Sequence, residues 1–413
     1  MLTAYRAVFT IVLSAALVAC GNGMLGSFMP VHLSKAGLST DQVGSVVTSY
    51  AVGMLLACFF SGRLIRRVGH IRSYAAFGAL SGLMVLALSW QASLEWWLAL
   101  RLIHGFSSNS IFMVMQSWLN ERTESRYRGQ VMAFFYVLYT VFYGSGALLL
   151  AKMDIESLAP FMIGSGLFML SIIPISTTKI PGPPLPAKIK IDLKGVYRLS
   201  PVGLVGAFVS GATGMTLQGV GAIYGTLLGL TPAAIGILMA STQAGNLVIQ
   251  WPLGFLSDRI DRRLVLIAAA GGAALVSLFI TSLTAETFII LIIAFGAFGG
   301  MAEAIYSIST AHANDWAEGD DYVTLSSTIL VVWAVGATLG ALVATQAMSF
   351  MGPEGLPIYT LIIMAGYGLF AVLRIFARSE PPEETQETFE AVPPAPVSAD
   401  FSLQAPEDEE TTT

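Results

Sequence analysis

Apolar residues come along this chain in runs of about twenty. They show neither the strict alternation of a half-buried strand nor the one-sided stripe of a soluble helix. A run of about 20 residues crosses the hydrocarbon as a helix. Only a helix or a closed barrel satisfies its own backbone there. The runs predict twelve spans: 7–33, 41–62, 72–91, 95–119, 129–151 and 157–177, then 201–228, 232–256, 263–284, 286–313, 323–350 and 356–377. The predicted fold class is therefore an all-α membrane protein with twelve transmembrane helices. The expected units are an N-terminal six-helix half (1–178), a cytoplasmic Pro-rich linker (179–200), a C-terminal six-helix half (201–378) and a disordered acidic cytoplasmic tail (379–413).

The linker is marked by Pro181-Gly182-Pro183-Pro184-Leu185-Pro186, where proline removes backbone donors and fixes φ. The tail is rich in Pro, Glu and Thr and nearly free of large apolar residues, the composition of a disordered segment. Arginines set the orientation. One side of the predicted membrane holds Arg63, Arg66, Arg67 and Arg72, then Arg122, Arg126 and Arg128, the linker, and Arg259, Arg262 and Arg263; the other holds Lys35 and Lys152. By the positive-inside rule the first side and both termini are cytoplasmic.

Composition agrees with the pattern. Hydrophobic residues make up 55% and charged residues 11%, against roughly 25% charged in soluble domains. The net charge of −5 belongs to the tail, whose 35 residues hold ten acids and no base, leaving 16 acids against 21 bases elsewhere. Leu17-Val18-Ala19-Cys20 looks like a lipoprotein cleavage box, but the apolar run continues past Cys20 and eleven more follow. Cys20 and Cys58 lie inside apolar runs, which indicates buried thiols rather than a disulfide framework.

The two halves repeat. Displaced by 192 residues, Gly37-Leu38 falls on Gly229-Leu230, Gly44 on Gly236, Ser49 on Ser241, Gly53 on Gly245 and Leu55 on Leu247. Gly62, Leu64 and Arg67 fall on Gly254, Leu256 and Arg259. A displacement of 194 sets Gly105 on Gly299, Ile111 on Ile305 and Asn120-Glu121 on Asn314-Asp315. Six helices per repeat give both the same topology, as in parallel-repeat transporters.

The loop after the second span reads Gly62-Arg63-Leu64-Ile65-Arg66-Arg67-Val68-Gly69-His70-Ile71-Arg72. It resembles the signature loop of the major facilitator superfamily. Its counterpart, Gly254-Phe255-Leu256-Ser257-Asp258-Arg259-Ile260-Asp261-Arg262-Arg263, resembles the same signature. The signature's acid is present as Asp258 and replaced by Arg66 in the first copy; its glycine is kept as Gly69 and replaced by Asp261 in the second. The resemblance covers about residues 1–378 and implies loops that latch the outward-open state, with Gly62, Arg66, Arg67, Gly69, Gly254, Asp258 and Arg259 as gating residues. In the fourth span, Arg101-Leu102-Ile103-His104-Gly105 resembles the string of proton-coupled members, of the drug/proton-antiporter-like branch, with His104 where a glutamine is usual. The proline of the family's export motif is absent from Tyr143-Gly144-Ser145-Gly146.

An ionisable group deep in a span is a functional candidate because a charge there is costly. Glu303 lies about sixteen residues into the tenth span, roughly 24 Å along it. Ser307 and Thr310 follow on its face, at i+4 and i+7. The resemblance implies that this face lines the transport cavity, with Glu303 carrying the proton; the competing reading is a hydrogen-bonded structural glutamate. Arg101 lies nearer the outer side, about 12 Å along the helix from Asn109, the repeat partner of Glu303, so no direct Arg101–Glu303 pair is expected. It either attracts an anionic group, modulates a proton site or snorkels to the interface. Gln243 and Asn246 lie at i and i+3 on the eighth span, and Tyr136 and Tyr139 likewise on the fifth. The amides read best as glue between helices; the tyrosines stay open between glue and a binding wall for an aromatic or amphipathic solute. His32 and His312, near helix ends, are expected to face water.

The sequence shows no metal spacing, no nucleotide loop and no paired nucleophile and base, so neither a cofactor nor enzymatic chemistry is expected, and no nucleic-acid partner. The reading is a multi-pass inner-membrane secondary transporter for a small solute, working by alternating access and coupled to protons, with lipids as surroundings and no oligomer implied. The alternatives are a proton-independent facilitator and a transporter-like receptor or scaffold.

Overall fold

The structure is a computed structural model and describes residues 2–91, 93–123, 127–177, 191–317 and 321–377. The proline string of the linker and the acidic tail lie outside the described residues. Helices α1 (Leu2–Lys35), α2 (Thr40–Val68), α3 (His70–Ala87), α4 (Leu94–Arg122), α5 (Arg128–Leu148) and α6 (Ala159–Ser176) form one half. A short helix, α7 (Leu193–Leu199), follows. The second half opens with α8 (Pro201–Met215), which passes through a π-helical turn (Thr216–Val220) into α9 (Gly221–Leu227). Then come α10 (Pro232–Ser257), α11 (Arg262–Ile280), α12 (Phe288–Asn314), α13 (Asp321–Met351) and α14 (Gly355–Ala377). With α8, the π turn and α9 counted as one span, each half has six. No strand occurs among the described residues.

Two departures from the expected spans concern one region. The end of the expected linker is helix α7, capped by the Asp192 carboxylate, which accepts from the Gly195 N–H at 2.8 Å, and bent 115° against the span that follows. The seventh span is interrupted near its middle by the π turn, the kind of insertion that tends to occur at functional sites.

The repeat is visible as geometry. Gly37 and Gly229 both have positive φ, +89° and +74°. Each ends a helix with the same pair of bonds: Gly37 N–H to Ser34 C=O and Leu38 N–H to Leu33 C=O, against Gly229 N–H to Thr226 C=O and Leu230 N–H to Gly225 C=O. The second bond of each pair is the 6→1 bond of a glycine C-terminal motif. The hydroxyl two residues on then caps the next helix, Ser39 for α2 and Thr231 for α10.

Within each half, α2 crosses α4 as α10 crosses α12. The crossings are close because glycine stands at them. A Cβ on Gly53 would overlap the Leu102 carbonyl, and one on Gly105 the Tyr50 carbonyl. In the second half a Cβ on Gly245 would overlap the Gly296 carbonyl, and one on Gly299 would stand 2.9 Å from the Thr242 carbonyl oxygen. Small residues serve in lipid because van der Waals contact, not water exclusion, holds helices together there.

The halves meet where α2 packs on α13, where α5 packs on α10, and where α1 packs on α9 and the π turn. Gly44 lies against Thr345 of α13, and its repeat partner Gly236 against Ala147 of α5. Both contacts are at the end opposite the arginine loops, where they bring the halves together. Large apolar side chains such as Phe350, Phe376, Ile289 and Leu275 are exposed on the outside of the bundle. On a twelve-span membrane protein that surface faces lipid.

Candidate functional site

A cavity of about 120 Å³ lies between the halves. That is room for several waters or one small solute. Helices α1, α2, α4 and α5 line it on one side; the π turn, α10, α12 and α13 line it on the other. It occupies the middle of the bundle and the half toward the closed end.

On the first side Arg101 is 6% exposed. Its Nη1 donates to His104 Nδ1 at 2.9 Å, and its guanidinium carbon lies 4.2 Å from the centre of the Tyr50 ring. Arginine only donates, so Nδ1 accepts and His104 stands as a neutral ring. The two residues are one turn apart on α4, which is what lets them meet. Tyr50 Oη donates toward Ser108 Oγ at 3.2 Å, and Asn22 Nδ2 donates to the same hydroxyl at 3.0 Å. Among the described residues no carboxylate pairs with Arg101, and its Nε is buried without an acceptor. His104 is fully buried behind Arg101, off the cavity wall.

On the opposite side Glu303 faces the cavity. Among the described residues it makes no hydrogen bond and no ion pair. Gly214 of α8 backs it: a Cβ there would stand 3.3 Å from its Oε1. Tyr143 of α5 lies in electrostatic range of both Glu303 and Arg101. The carboxylate and the guanidinium thus belong to different halves, share one cavity and do not touch.

Of the other expected site residues, Asn109, Tyr136, Tyr139, Gln243 and Asn246 also line the cavity. Several of them serve helix contacts at the same time. Asn246 Nδ2 donates to Tyr136 Oη at 2.8 Å, a bond between the halves, and Asn109 Nδ2 donates to the Met54 carbonyl at 3.0 Å. Ser307 and Thr310 stand differently from expectation. Ser307 accepts from Gln250 Nε2 at 2.7 Å and so belongs to the α10–α12 contact, while Thr310 Oγ1 bonds back to the Tyr306 carbonyl of its own helix; neither lines the cavity. A shared helix face does not fix what the face meets. Sequence reasoning left Tyr50, Asn22, Ser108 and Gln218 out of the site. Asn22 had a signal, a lone amide between two glycines in an apolar run; Tyr50 had none.

The two signature loops differ as their residues do. Gly69 has φ +87° and closes α2 onto α3; Gly62 is buried, Arg66 half-buried and Arg67 exposed. In the second loop Gly254 is buried and Arg259 lies over the Phe255 ring at 3.9 Å. Asp258 reaches Arg262 Nη1 at 3.5 Å, and Arg262, whose side chain is 2% exposed, donates from Nε to Asp315 at 2.8 Å. Arg262 thus bridges Asp258 and Asp315 and ties α11 to the end of α12. Arg263 forks onto Asp261 at 2.7 Å. Asp261 titrates below the usual carboxylate range: burial raises it, but the hydrogen bonds and charge of Arg263 outweigh burial. His312, expected to face water, is buried and bonded to Ser200 Oγ at 2.8 Å, because the start of α8 packs on the end of α12.

The family model for the Major Facilitator Superfamily matches this chain twice, over residues 11–216 and 202–405. The MFS-type transporter YcaD of Salmonella arizonae is 28% identical over 342 residues, 82% of this chain and 88% of that protein. Among solved structures, the nucleoside transporter NupG superposes with a TM-score of 0.69 at 16% identity, over 91% of this chain and 99% of that one. A D-xylose-proton symporter does so with a TM-score of 0.71 at 13% identity, over 93% and 99%. At those identities the superpositions speak for the fold.

Proposed function

The chain belongs to the major facilitator superfamily, and from that premise we propose that it is a secondary active transporter carrying a small solute together with protons across the inner, cytoplasmic membrane. The two halves, 1–178 and 201–378, rock about the cavity and open it to each side in turn. The distribution of arginines among the loops supports a cytoplasmic position for both termini and the linker. The closed end is then the outer one, and Gly44 against Thr345 with Gly236 against Ala147 forms its seal.

The observation that carries proton coupling is Glu303. A carboxylate at membrane depth with no partner among the described residues is costly when ionised and empty-handed, and exchanging a proton with the cavity removes that cost. Arg101, Asn109, Tyr136, Tyr139, Gln243 and Asn246 hold the solute, and His104 orients Arg101. Gly62, Gly69 and Gly254 shape the cytoplasmic loops whose arginines, with Asp258, gate that side. The D-xylose-proton symporter, as its name says, couples a solute to a proton on the same fold.

The test uses membrane vesicles loaded with a pH-sensitive dye and challenged in turn with sugars, amino acids, nucleosides and organic acids. One class is expected to move protons with the wild type and none with Glu303→Gln, while Glu303→Asp keeps part of the flux. Solute flux that ignores a protonophore makes the protein a facilitator instead.

A further inference from the structure

We propose that the solute is a small organic anion whose acidic group sits on the Arg101 guanidinium, and that each anion travels with one proton on Glu303. The inference rests on the transport reading above and adds the substrate class to it.

The first argument is the state of Arg101. It is buried, charged and on the cavity wall, yet among the described residues only its Nη1 has an acceptor, the His104 ring. The Tyr50 face offsets part of the desolvation of the cation. A neutral ring and a π face leave the guanidinium without a counter-charge, and an acid group reaching it from the cavity supplies that charge through charge-assisted bonds. His104 and Tyr50 hold the guanidinium still, so the site is ordered before the anion arrives.

The second argument is total charge. With Arg101 charged and Glu303 ionised, the empty cavity is neutral. With an anion on Arg101 and a proton on Glu303, the full cavity is neutral again. An anion without its proton leaves the closed cavity at −1, and a proton without its anion leaves it at +1. An uncompensated charge is costly to enclose at membrane depth. Both neutral forms can therefore close and cross, and the half-loaded forms cannot. The coupling is one anion to one proton and moves no net charge.

The groups that face Glu303 do not disturb this count. Tyr136 and Tyr143 of α5 are in electrostatic range of it. Asn246 and Gln250 of α10, Gly214 of α8 and Trp333 of α13 are uncharged. The arginines of α11 lie at the loop end, held by Asp315 and Asp261. The tyrosines of α5 with Phe112 make one wall aromatic, which suits a flat or apolar body on the anion.

The test is binding to the purified full-length protein in detergent at pH 6, read as thermal stabilisation and by calorimetry. The probes are benzoate, phenylacetate, hippurate and lactate, each beside its neutral amide, with phenylalanine as a zwitterion. At least one carboxylate is expected to stabilise the protein while its amide does not. Arg101→Gln is expected to weaken that binding roughly tenfold or more, and Arg101→Lys to recover part of it. In weakly buffered solution at pH 8 the wild type takes up about one proton per anion bound, and Glu303→Gln binds the anion with no uptake.

Equal binding of acid and amide, undiminished binding by Arg101→Gln, or anion binding without proton uptake by the wild type overturns the proposal. So does phenylalanine binding in place of every carboxylate. Should Arg101→Gln fail to fold, the acid–amide comparison and the proton count on the wild type decide alone. If no carboxylate binds while another solute class drives proton flux in the vesicles, the anion site is wrong and the transport reading stands; if no class drives flux, that reading fails first.

Discussion

Arg262 and Asp315 are 53 residues apart in sequence and form the most buried ion pair among the described residues, at 2.8 Å. Removing one partner of such a pair leaves the other charge buried, at a cost of about 3–5 kcal/mol. Asp315→Asn is therefore expected to lower the melting temperature sharply, and the double change Arg262→Met/Asp315→Leu to return most of the loss; thermal unfolding in detergent checks both. Asp261 gives a prediction in pH. Its folded carboxyl is depressed, so its stabilisation is complete above the ordinary carboxylate range and fades as pH falls through the lowered folded value. The melting advantage of wild type over Asp261→Asn should hold steady near neutral pH and shrink below about pH 4. Sequence alone exposed these residues singly, in a basic loop and at a repeat position, but not who pairs with whom. Glu303 and Arg101 were legible because a charge inside an apolar run stands out. Tyr50, Asn22 and Ser108 were not, since hydroxyls and amides in membrane helices serve packing as often as binding.

At the scale of helices, the repeat read from sequence has a physical cause. Of the glycines that recur 192 and 194 residues apart, Gly53 with Gly245 and Gly105 with Gly299 stand at the α2–α4 and α10–α12 crossings, and Gly44 with Gly236 at two contacts between halves. Gly53→Ala and Gly245→Ala each place a methyl group on a neighbouring carbonyl, an overpacking cost of about 1–3 kcal/mol. Gly271→Ala and Gly366→Ala meet open space and should leave the protein's melting temperature within a degree or two of wild type, or raise it, because alanine favours helix. A thermal-stability comparison of the four variants separates the classes. Helix positions were legible because hydrocarbon thickness sets their length. Helix facings were not: a side that meets lipid is as apolar as one that meets protein, so periodicity does not phase the helix. That is why Ser307 was expected in the cavity and is found bonded to α10.

For the whole molecule, twelve spans, two halves and their common topology followed from the chain, but the closed end did not, because closure is a relation between halves. Gly44→Leu is expected to wedge α2 from α13 and open that end. A Leu25→Cys probe on the cavity wall, labelled by a membrane-impermeant maleimide, should react several-fold faster in that background than in Gly44 protein. The π turn at Thr216–Val220 joins the same two partners by a different route. Below it α8 packs on α12 and α13 of its own half; above it α9 lies on α1 of the other and on α10. A π turn holds one residue more than the α-helix it interrupts, and one residue is about 100° of rotation. The extra residue is thus a phase shifter between an intramural helix and an intermural one. Deleting a single residue from Thr216–Val220 would leave composition, length and hydropathy almost untouched, yet swing α9 through about a quarter turn and point its α1-facing side at lipid.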